Sequence, residues 1–315
     1  QPDERTSDMA QGSQLSVTLS LPRDFRVYDV LRFYQRDNQQ LAEVVQQTTV
    51  SKATLYQGIP AAMTINFSHG GVASISWKSD RPTPLSRNDL VAWGEHILGL
   101  SQPVDVFAQR YGQHPQIGPL IAATPGLRIP QAITPFEAGC WAIIGQMISV
   151  AAAISIRRRL IQQHGVPHSG GLTCHPDADI LAGLCIEQLT ACGLSQSKAK
   201  SLLSLAQETI NDNLPLRHWR CAEDLDPKAL AAKLLALRGV GPWTVSYLML
   251  RGFGLLDGSL HGDVVIRKRL QRLLAQAETP DQRQTAAWLA AFSPYRALVG
   301  AHLWAMAASE KAVDY

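Results

Sequence analysis

The sequence predicts an α+β protein in which a mixed α/β region precedes a mostly helical one. Apolar and polar residues alternate around residues 15–19, 64–67 and 73–77, as in strands that bury one face. From about residue 88 onward, apolar residues recur every three or four positions, which is the spacing of helices. The proline-containing segment Arg81–Pro84 separates the two patterns.

Each element follows from its local pattern. Leu15, Val17 and Leu19 predict a first strand, and Val27–Tyr34 predicts a short helix. The turn sequence Ser68–Gly71 predicts a hairpin of two further strands. The helices predicted after it are Asn88–Leu98, Pro103–Tyr111, Phe136–His164, Asp177–Ala191, Gln196–Ile210, Pro227–Leu237, Trp243–Arg251, Val264–Ala277, Pro280–Ala291 and Tyr295–Ala308.

The composition is that of a globular protein, with 46% apolar and 17% charged residues among 315. The net charge is only +3, but residues 226–274 hold eight basic and three acidic side chains. A local excess of this kind attracts polyanions, although solvated helix faces would give the same counts. The polar first fourteen residues indicate no secretory signal, and no apolar run is long enough for a bilayer, so we expect a cytoplasmic protein.

The five cysteines, an odd number, favour a reducing compartment in which thiols stay unpaired. Cys185 and Cys192 are spaced for one helical face and are predicted to be core residues. Three histidines and one cysteine lie close together in the sequence and could be mistaken for a zinc site: His164, His168, Cys174 and His175. They lack the Cys-x-x-Cys pairs of such sites, so we expect them to bind no metal.

The segment Leu237–Thr244, Leu-Arg-Gly-Val-Gly-Pro-Trp-Thr, predicts a turn between two helices. Gly239 and Gly241 allow a tight helix exit and a close approach of another backbone. The proline that follows suits the first turn of the next helix, whose N-terminal N–H groups form a ready phosphate site. Arg238 and Arg251 would add positive charge nearby. An ordinary αα-hairpin would carry the same glycines, so the segment alone defines no function.

An isolated carboxylate, Asp263, follows Gly241 after twenty-two residues and precedes the basic helix Val264–Ala277. Aspartate is a favoured N-cap, and the dipole of the helix favours its ionised form there. Its role is therefore either structural, as a cap, or chemical, as an anion at the lip of a cleft. The order of hairpin, carboxylate and basic helix is typical of a protein that binds a phosphate backbone and attacks a group next to that backbone.

In this order, the hairpin and the carboxylate resemble those of the helix-hairpin-helix DNA glycosylases, and among them the 3-methyladenine DNA glycosylase II type of alkylation-repair enzyme. The resemblance covers about residues 110–308, and further motifs carry it: Pro125–Pro130, Phe136–Glu137, Ala142–Ala151, Leu189–Leu194, Lys198–Lys200, Tyr295–Arg296 and His302–Trp304. It implies a TBP-like mixed α/β domain at 14–100, after a flexible tail at 1–13. It also implies a helical core of two subdomains, one at 110–134 and 256–315 and the other, with the hairpin, at 135–255.

The resemblance assigns roles to individual residues, with Asp263 as the catalytic one. Four aromatic side chains would line the substrate pocket: Trp243, Tyr247, Trp304 and Phe33. Gln146 and Met147 match the tip that enters the duplex as a wedge. Contacts to the DNA backbone would come from Arg238, Gly239, Gly241, Thr244 and Arg267. A monovalent cation would be held by the backbone carbonyls of Leu235, Leu237 and Val240. For the aromatic residues and Met147, plain core packing is the alternative.

The implied activity is that of a monofunctional DNA glycosylase. Such an enzyme flips alkylated, cationic purines such as 3-methyladenine out of duplex DNA and hydrolyses the N-glycosidic bond, leaving an abasic site. A cationic purine can leave without a second carboxyl group to protonate it, which suits a lone acid. Trp243 stands where bifunctional relatives carry a Schiff-base lysine, and Gly262 stands where relatives often carry a second acid.

No cofactor is required apart from the possible monovalent cation. The expected partner is double-stranded DNA with alkylated bases, bound by a monomer in the cytoplasm, on the nucleoid. Two other interpretations stay open: a catalytically inactive protein that binds lesions, and a glycosylase for oxidised or mismatched bases. The N-terminal domain could also serve a regulatory contact instead of the pocket.

Overall fold

A five-stranded antiparallel sheet forms the first part of the protein, whose computed structural model describes residues 12–306. Its strands are β1 (Gln14–Ser20), β2 (Glu43–Gln46), β3 (Thr49–Tyr56), β4 (Ile59–Asn66) and β5 (Val72–Ser79). They are ordered β1-β5-β4-β3-β2, so the first strand lies at the edge of a four-stranded meander. The tail predicted at residues 1–13 lies almost entirely outside the described residues.

The alternation of side chains places the apolar residues of the sheet on one face. Met63 pairs with Trp77 and Ile65 with Ile75 across β4 and β5, and all four are buried. Two helices pack against this face: α1 (Val27–Tyr34) and α2 (Arg87–Ile97). The predicted first strand and hairpin are confirmed, whereas β2 and β3 escaped prediction because β3 buries a lysine, Lys52, that disguises the alternation.

The rest of the described chain is almost entirely helical. Its helices are α3 (Val104–Tyr111), α4 (Gly118–Ala123), α5 (Pro135–Ile144), α6 (Val150–His164), α7 (Ala178–Ala182), α8 (Ile186–Ala191), α9 (Gln196–Ile210), α10 (Pro227–Leu235), α11 (Pro242–Phe253), α12 (Val264–Leu273), α13 (Gln282–Ala290) and α14 (Arg296–Trp304). A 3-10 turn at Trp219–Ala222 and a two-stranded ribbon of Val166–Pro167 with Thr173–Cys174 complete the structure. Within residues 12–306, we find no helix with the length and apolar character needed to cross a membrane.

Two helices predicted as continuous are each broken in two. The predicted Phe136–His164 helix is interrupted between α5 and α6, where Ser149 caps α6 by accepting a hydrogen bond from the Ala152 N–H. The predicted Asp177–Ala191 helix is interrupted between α7 and α8. Apolar spacing continues across both breaks, so periodicity alone does not reveal them. The bounds of α9 are those predicted.

The helices pack into two apolar cores that meet along α11. One core gathers residues of α5 to α10 with Val245 and Leu248 of α11, and the other gathers residues of α3, α4 and α12 to α14 with Leu250 of α11. Trp243 and Trp304 pack against both cores. The two tryptophans therefore lie at the junction of the helical cores. The domain limits given above remain predictions, and residues 307–315 lie outside the described part of the chain.

A buried network of four charged side chains joins the sheet to the helices. Lys52 Nζ on β3 lies 3.3 Å from Glu43 and 2.7 Å from Glu137 of α5. Arg157 of α6 donates to both carboxylate oxygens of Glu43, at 2.9 and 3.0 Å. Burial raises the pKa of Glu43, but Arg157 and Lys52 lower it by more, so that it falls to about 2. These contacts hold the N-terminal sheet against α5 and α6.

Two of the five cysteines are exposed. Cys140, Cys174 and Cys192 are buried, but Cys185 and Cys221 face solvent. The prediction that Cys185 is a core residue is wrong, because the residue stands outside α8 as its N-cap. Among residues 12–306, no cluster of His, Cys, Asp and Glu side chains has an arrangement that could hold a metal ion.

Candidate active site

Asp263 precedes α12 as its N-cap, and three N–H groups donate to its carboxylate. Oδ1 accepts from the Ile266 backbone at 2.9 Å and from the Trp304 indole at 3.2 Å. Oδ2 accepts from the Trp243 indole at 2.9 Å. The structural role considered for Asp263, as a cap, is therefore real, and it coexists with a position between two tryptophans predicted for the substrate pocket.

The carboxylate lies just beneath the surface and not at an open lip. Asp263 is 4% exposed, whereas the next residue, Val264, is 49% exposed. Trp243 and Trp304 are both half-buried and donate to opposite oxygens. The expectation of an open anion is thereby corrected, because the two indoles occupy it.

Trp243 and Tyr247 form a stacked pair on α11. They are four positions apart and so lie on one face of the helix, with ring centroids 5.2 Å apart and planes inclined by 23°. Tyr247 is only 1% exposed, so it supports Trp243 from the interior. Three of the four predicted pocket residues, Trp243, Tyr247 and Trp304, are thus gathered around Asp263.

Phe33, the fourth predicted pocket residue, approaches Tyr247 from α1. The two residues line the same small pocket, of about 30 Å³. The guanidinium carbons of Arg36 and Arg251 lie 4.7 and 4.5 Å from the Phe33 ring centroid, within the range of cation–π attraction. Sequence reasoning missed Arg36. A base that reached Phe33 would meet two positive charges on that side.

Arg251 does not add charge to the hairpin, so that expectation is wrong. It lies near the C-terminus of α11, roughly 13 Å from Pro242 at 1.5 Å of rise per residue. Its Nη1 donates to the Pro130 carbonyl at 2.9 Å. Burial lowers the pKa of its guanidinium. The charge of Arg251 therefore belongs to the interior behind Phe33.

The hairpin between α10 and α11 has the geometry expected of a phosphate site. Gly239 has a φ of +80°, and a Cβ there would lie 2.3 Å from Ser201 Oγ, so glycine is required. Gly241 is the N-cap of α11, has no side chain to cap the helix and faces open space. The N-terminus of α11 therefore has no side-chain cap, and a helix end of this kind can bind a phosphate. Arg238 is exposed beside this helix end.

The carbonyls predicted to hold a cation lie in the same turn. The Leu237 carbonyl accepts a hydrogen bond from Val240 N–H at 3.2 Å. Within the described residues, none of the turn and cap hydrogen bonds goes to the carbonyl of Leu235, the last and exposed residue of α10. Oxygen ligands of this kind suit a monovalent cation, so the turn fits one, and the cation itself remains a prediction.

The predicted wedge follows α5 and is tied to the hairpin. Met147 is fully exposed at 101% and has a φ of +58°. The side-chain amide of Gln146 donates to the Gly239 carbonyl at 3.1 Å and to Thr244 Oγ1 at 2.8 Å. Gln146 is thus engaged with the hairpin, and Met147 alone projects. Thr244 is 4% exposed and its Oγ1 accepts from Gln146, so its side chain is turned to Gln146 and not to solvent, and its contact to DNA stays a prediction.

Arg269, two residues after Arg267 on α12, has a structural role. It is 9% exposed, and its Nη1 donates to the carbonyls of Leu303, at 3.0 Å, and of Trp304. It therefore holds the end of α14 that carries the Trp304 indole. Its position three residues after the buried Ile266 is the signal that could have predicted this.

The architecture is a sheet followed by two helical cores, with a hairpin beside an acid, and comparison with known proteins shows the class to which it belongs. Residues 140–294 match the HhH-GPD superfamily of base excision DNA repair proteins, a segment that includes the hairpin and Asp263. The chain therefore carries a domain of that superfamily. The resemblance seen in the sequence and the predicted α+β fold are both confirmed.

One named protein is similar to this chain in sequence, and two solved structures are similar to it in fold. DNA-3-methyladenine glycosylase 2 of Escherichia coli is 31% identical over 192 residues, which span 60% of this chain and 63% of that protein, less than two thirds of its length. A 3-methyladenine DNA glycosylase structure from Archaeoglobus fulgidus superposes with a TM-score of 0.75 at 18% identity, covering 91% of this chain and 96% of that one. An 8-oxoguanine glycosylase/lyase of Clostridium acetobutylicum, in complex with double-stranded DNA, gives 0.70 at 14% identity, covering 94% and 97%. The two structures share the fold.

Proposed function

We propose that the protein is a monofunctional DNA glycosylase that flips alkylated purines out of duplex DNA and hydrolyses their N-glycosidic bonds, leaving abasic sites. The observation that carries this proposal is the Asp263 carboxylate, held by the indoles of Trp243 and Trp304 at the junction of two helical cores. The Escherichia coli relative, named for 3-methyladenine, supports the substrate class.

The carboxylate would act on the sugar. Breaking the N-glycosidic bond builds positive charge on the deoxyribose, and an anion beside C1′ lowers the energy of that transition state. The same group can orient or deprotonate the attacking water. The indole hydrogen bonds and the N-cap contact to Ile266 fix its orientation in advance. A purine that already carries a positive charge leaves without a second acid.

The hairpin and the wedge would hold the DNA. The first N–H groups of α11, with Arg238 and Arg267 nearby, would bind backbone phosphates. Met147 would fill the space left by the flipped nucleotide, which helps to offset an unstacking cost of a few kcal/mol. Trp243 cannot form a Schiff base, so the strand would stay intact after base release.

Particular observations favour two rival functions. The near-complete burial of Asp263 favours a protein that binds lesions without cleaving them. The two guanidinium groups beside Phe33 favour an uncharged oxidised or mismatched base over a cationic one. Both rival functions would use the hairpin and the wedge to bind DNA. Only a measurement of which base is released, if any, distinguishes them from the proposed function.

The deciding experiment measures base release from methylated duplex DNA with identification of the product. We expect wild type to release 3-methyladenine and leave alkali-sensitive, unbroken strands. Asp263→Asn, which keeps an N-cap, should lower the rate by about a hundredfold or more. Asp281→Asn is the matched control, because Asp281 caps α13 through the same kind of contact, to Gln284 N–H at 2.7 Å.

Other results would replace the proposal. Tight binding to abasic DNA without release of any base would indicate the lesion-binding protein. Release confined to 8-oxoguanine or mismatched substrates would indicate the second rival. Equal loss of activity in the Asp263 and Asp281 variants would indicate that the caps matter only for folding.

A further inference from the structure

A cavity of about 670 Å³ lies between the N-terminal sheet and the helices, away from Asp263. Its lining comes from the β3–β4 turn, α2, the start of α5, the segment before α7 and the 3-10 turn. Asp263, Trp243 and Trp304 are not among the lining residues. The volume is within the range of small-molecule sites, and the described contacts of the candidate active site do not use it.

Flat rings form much of its wall. Tyr56, Trp93, Phe136, His175 and His218 all line the cavity. The Trp93 ring centroid lies 4.9 Å from that of His218 and 5.9 Å from that of Tyr56. Trp93 is buried against these two rings and Trp77, so the half-buried rings of Tyr56 and His218 offer the stacking surface to a planar ligand.

The two histidines provide one donor and one acceptor. His175 Nδ1 lies 2.8 Å from the Pro176 carbonyl, which can only accept, so Nδ1 carries the proton and Nε2 is the acceptor. His218 Nδ1 accepts from Arg220 N–H at 3.3 Å, so Nε2 carries the proton and is the donor. Burial lowers the pKa of each imidazole to about 4, which keeps both neutral near pH 7. Within the described residues, neither Nε2 has a hydrogen-bond partner in the protein.

The charges around the cavity do not favour an anion. Four carboxylates and two guanidinium groups line it: Asp89, Glu137, Asp177, Asp179, Arg217 and Arg220. Both arginines are already paired, Arg217 with Asp179 at 2.6 Å and Arg220 with Asp89 at 2.9 Å. A phosphate would have to break these pairs and face the remaining carboxylates. An uncharged ligand meets no such cost.

We propose that this cavity is a binding site for an uncharged, planar heterocycle of purine size, either a free base or a nucleoside without phosphate. The ligand would stack on Tyr56, donate to His175 Nε2 and accept from His218 Nε2. The free purine released by a glycosylase belongs to this class, but the proposal rests on the cavity and not on that activity.

Cys221 allows a direct test, because it is exposed and lines the cavity. Cys185, also exposed but outside the cavity, is an internal control. Maleimide labelling of both thiols would be followed by mass spectrometry with adenine, adenosine or AMP present. With adenine or adenosine at about ten times its dissociation constant, we expect Cys221 to react about tenfold more slowly and Cys185 at its original rate. Equal protection of both thiols, or none, would overturn the proposal.

Further arms locate the ligand and define its class. AMP should protect Cys221 far less than adenosine does, and equal protection would contradict an uncharged-ligand site. His218→Leu should weaken protection by about tenfold, as expected for one lost hydrogen bond in a buried site. A thermal melt would check that the His218→Leu variant folds. Tyr56→Leu, which removes a ring from the cavity wall, is the second variant. Protection must persist in Asp263→Asn, since its loss would place adenine in the candidate active site. Labelling requires no turnover, so its outcome is independent of glycosylase activity.

Discussion

The Trp243 indole N–H donates a 2.9 Å hydrogen bond to Asp263 Oδ2. The contact joins the helix that begins at the hairpin to the residue that begins the following helix. An indole N–H can only donate, so it holds the carboxylate as an acceptor in one orientation. The hairpin turn and the acid are thereby coupled through a single aromatic side chain.

Replacing Trp243 with phenylalanine would keep an aromatic ring but remove this donor. A hydrogen bond to a charged group contributes about 1.5–3 kcal/mol, so we expect the rate of base release to fall roughly ten- to hundredfold. Single-turnover kinetics on methylated duplex DNA would measure the change. Trp288→Phe is the matched control, because Trp288 packs on Phe292 in the second core and makes no contact with Asp263. Equal rates for wild type and Trp243→Phe would show that the indole contact does not serve catalysis.

The hairpin and Asp263 could be predicted because both depend on local sequence. Glycine and proline positions define the turn, and an aspartate before a basic helix defines the cap. The contacts that close the site could not be predicted in this way. Gln146 meets the hairpin 93 positions along the chain, and Arg269 meets Leu303 34 positions along. Such contacts are set by packing of distant helices, which periodicity does not report.

Gln146→Ala would separate the wedge from the hairpin. Loss of the hydrogen bonds to the Gly239 carbonyl and Thr244 Oγ1 leaves Met147 on a less ordered loop. We expect affinity for an abasic-site duplex to fall by up to roughly thirtyfold, as for two hydrogen bonds of about 1 kcal/mol each. Fluorescence anisotropy would measure it, with Gln207→Ala in α9 as a control distant in sequence from the tip. Unchanged affinity would mean that the wedge is ordered without Gln146.

Met147 can be tested by a pair of substitutions that differ only in backbone freedom. Both Met147→Ala and Met147→Gly remove the exposed side chain, so both should weaken base flipping equally. Only glycine relieves the positive φ of +58°, which costs an ordinary residue roughly 1 kcal/mol. Urea denaturation should therefore find the glycine variant more stable than the alanine variant by about that amount. The opposite order would show that the left-handed conformation carries no strain.

The buried charge network should be sensitive to the loss of one member. Arg157→Met would leave Glu43 and Glu137 opposed by Lys52 alone, and we expect a loss of about 3–5 kcal/mol in the free energy of unfolding. Arg217→Met, which breaks an ion pair whose partners are 43% and 57% exposed, should cost at most about 1 kcal/mol. Urea denaturation of both variants provides the comparison. Similar losses in the two would mean that burial does not strengthen the network.

Stability should decline in mild acid because of four histidines, of which three are buried and His218 is half-buried. Burial lowers the pKa of His96, His175, His218 and His302 to about 4 each. The unfolded chain binds a proton at each below about pH 6.5 while the folded protein does not, so their contribution is complete above that pH and is lost as the pH falls toward 4. Each would lower the free energy of unfolding by up to about 1.4 kcal/mol per pH unit in that window.

Urea midpoints at about pH 7.5, 6.5 and 5.5 would measure this loss of stability in acid. His302→Gln should make the urea midpoint less dependent on pH, whereas His69→Gln, at an exposed position, should leave that dependence unchanged. A midpoint that stays constant down to about pH 5.5 would show that these imidazoles become protonated without unfolding.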